Sequence, residues 1–161
     1  DLANEAVKDL AELTGESAAF FEFDENLIKL IAKKEMANSY HYLKLMSSEI
    51  HTANNAFIYS IFPFVSSQVS DHFIKNSDGA FNFDKTKLSK DFDEIRKDKF
   101  LVRQERYQRA EISRFCALVF IEIEIVGSVG VTVNSHSLDK QDKEQILQQC
   151  LSAARSIEEK L

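Results

Sequence analysis

The chain has 161 residues, a formal net charge of −6 and an isoelectric point near 5.3. A surface of this sign repels phosphate backbones, so the chain by itself is not expected to bind DNA. The apolar share of 44%, with 13 phenylalanines, excludes a disordered chain and predicts one domain over residues 1–161. The content of only 4 glycines and 1 proline argues against an all-β fold rich in tight turns.

The sequence also argues against membrane insertion and disulfide bonding. No apolar run reaches the ~20 residues that a membrane span needs, and the charged start DLANEAVKDL does not resemble a signal peptide. Cys116 and Cys150 lie in apolar segments, and both are interpreted as core residues of a reduced, cytoplasmic protein. A disulfide or a reactive thiol is the less favoured alternative. Because the first residue is not Met, we expect a further segment upstream.

The first part of the sequence predicts a helix, a β-hairpin and a second helix. Residues 2–14 repeat apolar side chains at helical spacing and stop at Gly15. The segments ESAAFFEF and LIKLIAKK, joined by DEN, predict a hairpin with a short loop. After them, SYHYLKL is compatible with a further strand. A helix then follows from Thr52, its N-cap, to about Phe62, where Pro63 interrupts it.

The rest of the sequence predicts two helices, a second hairpin and a long last helix. One helix ends near Lys75 before the loop NSDGA, and the next begins after Asp84 as its cap. Residues 113–135 contain two strands around EIVG, and the last helix opens at Asp139. The capped helix has an apolar stripe of Leu88, Phe92 and Ile95, and the last helix has one of Ile146, Leu147, Cys150, Leu151, Ala154, Ile157 and Leu161. One face of the first strand carries Phe115, Ala117, Val119, Ile121 and Ile123. In the second strand, Val129, Val131 and Val133 share one face, and Gly130, Thr132 and Asn134 line the other. Hairpins combined with helices predict an α+β layer architecture with an antiparallel sheet.

Motifs of catalysis and of cofactor binding are absent from the sequence. There is no glycine-rich phosphate loop, no nucleophile elbow, and no metal-ligand spacing among the four histidines. Glu122 and Glu124 form a pair that we interpret as a solvated face, with paired catalytic carboxylates as the weaker alternative. RQERYQR (103–109) is interpreted as a solvated loop or short strand, with a nucleic-acid contact as the weaker alternative. We therefore expect neither an enzyme nor a bound cofactor.

Five segments, in order along the whole chain, resemble the effector-binding domain of IclR-type bacterial transcription regulators. The resemblance is carried by LAELTGESAAFFEF, EIHTANNAFIYSI, LSKDFDEIRKDKFL, EISRFCALVFIE with VGSVGVTVNSHS, and LSAARSIEEKL. The chain departs from the family pattern at several positions: Ala56 and Phe57 stand where the family has Gly and Lys, and Leu118 stands where it has Pro. This identifies the chain as a divergent member.

The resemblance implies a fold, a role and partners. The fold is GAF-like, an antiparallel sheet flanked by helices. The role is to bind a small-molecule effector, often a carboxylate or an aromatic acid, and to take part in forming a homodimer or tetramer. DNA binding would belong to a winged helix-turn-helix domain upstream of this chain, and no membrane partner is implied.

The resemblance also implies an effector pocket where the helix after His51 meets the sheet. The first amides of a helix lack internal partners and suit a carboxylate, and an Arg at the start of a strand could pair a carboxylate bidentately. The predicted effector contacts are the amides of Asn54, Asn55, Ala56 and Phe57, the side chains of Gln104, Arg114, Thr132 and Asn134, and an apolar wall of Leu45 and Met46. Structural alternatives stay open: a surface ion pair for Arg114, a solvated strand end for Thr132 and Asn134, and ordinary first-turn residues for the asparagines.

Effector binding is expected to order the helix over residues 52–62 against the sheet and so shift the placement of the DNA-binding domains. Two other functions stay open. A degenerate GAF-like domain could act only in assembly, without a ligand, since family Gly and Pro positions are lost. An enzyme of unknown type would need a convergent acid, base or metal set. The sequence assigns no effector, operator or regulatory sign.

Overall fold

The computed structural model describes residues 2–36, 55–75, 84–107 and 110–161. Its elements in chain order are α1 (Leu2–Thr14), β1 (Ser17–Asp24), β2 (Leu27–Lys34), α2 (Ala56–Ile61), α3 (Ser67–Lys75), α4 (Lys85–Asp98), β3 (Phe100–Tyr107), β4 (Ala110–Ile121), β5 (Glu124–Asn134) and α5 (Lys140–Glu159). Short 3-10 turns follow α2 at Phe62–Phe64 and β5 at Ser135–Ser137. Among the helices so described, none combines the length and the hydropathy that a membrane crossing requires. The strand considered for SYHYLKL, the loop NSDGA and the cap Thr52 lie outside these ranges.

The five described strands form one antiparallel sheet in the order β2-β1-β5-β4-β3. Both predicted hairpins are present, β1 with β2 and β4 with β5, and β3 pairs with β4 at the sheet edge. Residues opposite one another in paired strands point to the same face. One row of such residues therefore crosses four strands: Arg103, Arg114, Thr132 and Ser17. The predicted α+β fold with an antiparallel sheet flanked by helices is confirmed.

Helices pack on both faces of the sheet. On one face, α1 and α5 cover an apolar cluster that contains Phe115, Ala117 and Val119 from β4 and the three valines predicted for one face of β5. On the other face, α2 buries Phe57 and Ile58 against side chains that include those of Cys116 and Leu118. We call this second side of the sheet the α2 face; successive side chains along each strand point alternately to it and to the first side. The predicted division of β4 and β5 into two faces is confirmed for these residues.

Cys116 and Cys150 are both buried, on opposite sides of the sheet. Burial raises the pKa of the Cys150 thiol to about 12. Burial also raises the pKa of Cys116 well above its ordinary value, and the negative charge of Glu105 adds to the effect. Both side chains are therefore protonated at neutral pH, and their interpretation as small core residues is confirmed.

The turn between β4 and β5 lies earlier in the sequence than predicted. β4 ends at Ile121, and Glu122 adopts a left-handed backbone with φ of 56°. Ile123 therefore lies in the turn, where it is 91% exposed, and it does not extend the buried face. The prediction that Ile121 and Ile123 lie on the buried face was wrong. Besides the turn at Glu122, the register of β4 with β5 shifts between Val119 and Phe120. Glu122 and Glu124 consequently do not share a strand face.

Helix α2 begins at Ala56, and its N-cap is Asn55 rather than Thr52. Asn55 has an extended backbone, with φ of −89° and ψ of 124°, and its side chain accepts a hydrogen bond from the Phe57 amide at 2.8 Å. Asn caps a helix well because its short side chain reaches the amide two residues on. The predicted interruption at Pro63 is confirmed, since α2 ends at Ile61 and Pro63 lies within the 3-10 turn Phe62–Phe64 that follows it.

Loss of the caps of α4 and α5 is expected to destabilise the chain by about 1 kcal/mol each. The side chains of Asp84 and Asp139 accept hydrogen bonds from the amides of Thr86 and Asp142, both at 2.9 Å, as predicted from the sequence. Asp84→Ala and Asp139→Ala remove these acceptors, and urea unfolding measures the cost. Glu94→Ala, an exposed position inside α4, is the control and is expected to change stability by less than about 0.5 kcal/mol. A cap variant no less stable than this control contradicts the assignment.

Candidate functional site

A cluster of charged side chains lies on the α2 face, near the β3 edge of the sheet. Arg103 and Glu105 lie two residues apart on β3 and therefore point to the same side. Arg114 lies opposite Arg103 on β4, and Thr132 lies opposite Arg114 on β5. Arg114 is 4% exposed and Thr132 is 5% exposed. The site thus combines two guanidinium groups and one carboxylate within an apolar face.

The Glu105 carboxylate is the centre of this cluster. Its Oε1 atom accepts a hydrogen bond from the Ala56 amide at 2.6 Å and another from Nη2 of Arg103 at 2.7 Å. Its Oε2 atom forms an ion pair with Nη1 of Arg114 at 3.1 Å, and the Glu105 side chain is 11% exposed. Bonds to a charged acceptor are stronger than neutral ones, and more so away from water. One carboxylate therefore connects the start of α2 to β3 and β4.

Aromatic rings from α2 lie against both guanidinium groups. The Arg114 guanidinium carbon is 5.9 Å from the centre of the Phe57 ring, which itself stacks on Phe21 at 4.9 Å. The Arg103 guanidinium carbon is 4.9 Å from the centre of the Tyr59 ring. The negative faces of such rings attract the positive charges. These contacts hold both arginines in place between α2 and the sheet.

Tyr59 links the cluster to α4. Its hydroxyl donates a hydrogen bond to Oδ2 of Asp91 at 2.9 Å. Burial raises the pKa of Tyr59 above its ordinary value, and the hydrogen bond to Asp91 raises it further. The side chain is therefore a neutral donor, and α2 is fixed by polar contacts to both the sheet and α4.

The guanidinium of Arg114 has donor capacity that Glu105 does not use. Its Nε atom is buried and finds no hydrogen-bond acceptor among the described residues. A buried donor of this kind carries a desolvation cost unless something accepts its proton. The Nε atom of Arg114 is therefore suited to an additional acceptor. No cluster of side chains able to hold a metal ion is found in the described ranges.

The structure brings two of the predicted site residues together and shows the amides of two others already bonded. Arg114 and Thr132 are adjacent on the α2 face, and Arg114 is buried rather than part of a surface ion pair. The Ala56 amide donates to Glu105, and the Phe57 amide donates to the side chain of Asn55. These two donors, predicted for a ligand, are thus satisfied within the chain.

Gln104 does not join the cluster, and Asn134 has a hydrogen bond of its own. Gln104 is exposed and alternates with Arg103 and Glu105, so its side chain lies on the opposite face of β3 and does not join the cluster. Asn134 lies in register with Glu105 through Ile112, but its side chain accepts a hydrogen bond from the His136 amide and caps the following turn. Asn54 and Met46, with Leu45 and His51, lie outside the described ranges.

Arg103 and Glu105 were not predicted as site residues. The segment RQERYQR was interpreted as solvated. This fits Gln104 and Arg106, which are exposed, but it is wrong for Arg103 and Glu105. The signal that could have identified them is the period-two pattern, in which residues 103 and 105 share a face of a strand. Alternation of charged residues alone does not indicate which face is buried.

Comparison with known proteins identifies the fold. No family model matches the sequence, and no curated protein matches it. Among solved structures, the chain is similar to the C-terminal domain of a candidate transcriptional regulator from Vibrio cholerae, with 18% identity over 97% of this chain and 94% of that chain and a TM-score of 0.79. It is also similar to the IclR protein of Thermotoga maritima, with 19% identity over 100% of this chain and 67% of that chain and a TM-score of 0.77.

A third similar structure was determined with a small molecule. It is an IclR homologue from Microbacterium hydrocarbonoxydans in complex with 4-hydroxybenzoate, with 8% identity over 98% of this chain and 65% of that chain and a TM-score of 0.80. The chain thus spans about two thirds of the length of the two IclR structures. The resemblance to IclR-type effector domains is confirmed at the level of the fold.

Proposed function

We propose that this chain, as one domain over residues 1–161, is the effector-binding regulatory domain of an IclR-type transcription regulator and not an enzyme. The observation that carries the proposal is the cluster of the buried Arg114 with the half-buried Arg103 and Glu105, where α2 meets the sheet. Burying charge is costly, and such clusters concentrate at functional sites. The cluster lies at the junction at which the family resemblance implies an effector pocket.

The effector class that fits this site is a small aromatic carboxylate. Its carboxylate would engage the guanidinium groups of Arg103 and Arg114, next to the hydroxyl of Thr132, and its ring would lie against the aromatic side chains of α2. The 4-hydroxybenzoate bound by the Microbacterium structure supports this class. Asn54, Met46 and Asn134 remain proposed contacts, whereas Gln104 is no longer proposed because it faces away from the cluster.

The regulatory effect would arise from the position of α2. This helix is held by the Glu105 carboxylate on one side and by the Tyr59–Asp91 hydrogen bond on the other. A ligand that binds one position of α2 better than another shifts the population between them. In a homodimer or tetramer, such a shift would reach DNA through an upstream DNA-binding domain of each chain.

A thermal-shift screen with small carboxylates tests the proposal. At a ligand concentration of about 100 times Kd, binding adds about 2.7 kcal/mol, which raises Tm by roughly 5–10 °C for a chain of this size. We expect 4-hydroxybenzoate or a related acid to give such a shift, and Arg114→Ala to abolish it. Arg155→Ala, which removes an exposed arginine from α5, should leave the shift intact. The proposal fails if no carboxylate stabilises the unmodified chain.

A second function, assembly without a ligand, is favoured by one observation. The Ala56 amide and both arginines already bond to a carboxylate of the chain itself. A domain of this kind would show no shift with any carboxylate in the screen, yet its sedimentation coefficient would still rise with protein concentration. The same purified chain serves for both measurements.

A further inference from the structure

The Glu105 carboxylate has the bonding partners that an effector carboxylate would need. Both of its oxygens are used, Oε1 by the Ala56 amide and Arg103, and Oε2 by Arg114. We infer that Glu105 is an intramolecular competitor, so that a carboxylate effector binds at this site by displacing it. The inference rests on the proposed function, since it concerns how the same site takes its ligand.

The donors that hold Oε1 of Glu105 can bind only one carboxylate at a time. The Ala56 amide and Nη2 of Arg103 converge on the same oxygen at 2.6 Å and 2.7 Å. A second carboxylate using those donors would lie within a few Å of the first, where like charges repel strongly away from water. Binding of an external carboxylate and retention of Glu105 on these donors are therefore mutually exclusive.

The position of β3 gives Glu105 a way out of the cluster. β3 is an edge strand of the described sheet, and the side chains of Glu105 and Arg103 retain 11% and 18% exposure, whereas Arg114 is 4% exposed. Of the three residues, the carboxylate and Arg103 thus lie nearest to solvent. A change of rotamer at Glu105 could expose the carboxylate while Arg114 stays buried.

Competition of this kind changes both affinity and signalling. A tethered group acts at an effective concentration in the millimolar range or above. The apparent affinity for an external carboxylate is therefore reduced to the fraction of chains in which Glu105 does not occupy the donors. Displacement also breaks the bond between Glu105 and the Ala56 amide. The start of α2 is then held by the effector instead of by β3, so the two states of the helix differ in their contacts.

The test compares the unmodified 161-residue chain with Glu105→Ala by calorimetric titration of 4-hydroxybenzoate and of its neutral analogue 4-hydroxybenzamide. We expect the variant to bind the carboxylate at least about tenfold more tightly than the unmodified chain, because the competitor is gone. The amide should show no such gain, since it brings no negative charge to the arginines. Glu111→Ala removes the same charge from an exposed position on β4 and should bind both compounds as the unmodified chain does.

A second variant covers the case in which Glu105→Ala does not fold. Glu105→Gln keeps the volume of the side chain and an acceptor for the Ala56 amide but removes the charge, so it should also bind the carboxylate more tightly than the unmodified chain, by a smaller factor. The inference is overturned if neither variant gains affinity for the carboxylate over the amide. If the variants bind it and the unmodified chain binds no carboxylate at all, the inference stands and the proposed sensing function fails.

Discussion

Replacement of either partner in the largely buried ion pair of Glu105 and Arg114 is expected to destabilise the chain by about 3–5 kcal/mol. The two side chains are 11% and 4% exposed and their charged atoms are 3.1 Å apart. Glu105→Leu removes the carboxylate that pairs with the buried guanidinium of Arg114, and Arg114→Met leaves the Glu105 carboxylate with one guanidinium fewer. Each single variant therefore retains a charge whose desolvation is no longer fully compensated.

The double variant is expected to cost less than the sum of the two single costs. With both charges removed, apolar side chains of similar volume fill the space, while Arg103 and the Ala56 amide lose their bonds to the Glu105 carboxylate. We expect a coupling free energy of at least about 1–2 kcal/mol between the two positions. Urea unfolding of the four chains of the double-mutant cycle measures it, with far-UV circular dichroism as a check that each variant folds.

The control cycle uses Lys8 and Glu12, which form an exposed ion pair on α1. Their side chains are 62% and 54% exposed, and their charged atoms are 4.0 Å apart. Solvent screens such a pair, so its coupling should stay below about 0.5 kcal/mol. If the cycle through Glu105 and Arg114 gives no more than this control, the two residues do not act as a buried pair.

The fold was predicted where local patterns determine it. Period-two alternation identified Val129, Val131 and Val133 as one face of β5, because a strand on a packed sheet must bury every second side chain. Asp84 and Asp139 were identified as caps because a short acceptor side chain just before an amphipathic helix can bond to the free amides of its first turn. Element ends were less predictable. The start of α2 at Ala56 was missed because the two asparagines before it could equally serve as a cap or as a first turn.

The site was predicted only in part because its centre depends on contacts distant in sequence. Arg114 and Thr132 were identified from the resemblance, and the register places them side by side. Glu105 reaches the Ala56 amide across 49 residues of sequence, a long-range contact that no local pattern reveals. The acidic residue within RQERYQR therefore could not be recognised as the partner of the helix that was predicted to bind a ligand carboxylate.

Replacement of Gly130 by alanine is expected to destabilise the chain by about 3 kcal/mol, at the upper end of the cost of overpacking. Gly130 lies on β5 between Cys116 of β4 and Ala19 of β1, so paired strands flank it on both sides. A Cβ atom there would overlap the backbone carbonyl oxygen of Phe115 and lie 3.1 Å from the Cα atom of Cys116. Backbone atoms within a paired ladder can move away only by breaking hydrogen bonds.

Gly15 provides the matched comparison, because its requirement for glycine is conformational and not steric. It has φ of +74° after α1, and a Cβ there would meet no atom within 4 Å. Gly15→Ala should therefore cost only the about 1–2 kcal/mol of a left-handed backbone, and Gly15→Asn should cost less, since Asn tolerates that conformation. At Gly130, Asn should cost more than Ala because the larger side chain adds to the overlap. Urea unfolding midpoints separate the cases, and equal costs for Gly130→Ala and Gly15→Ala would contradict close packing of β5 against β4.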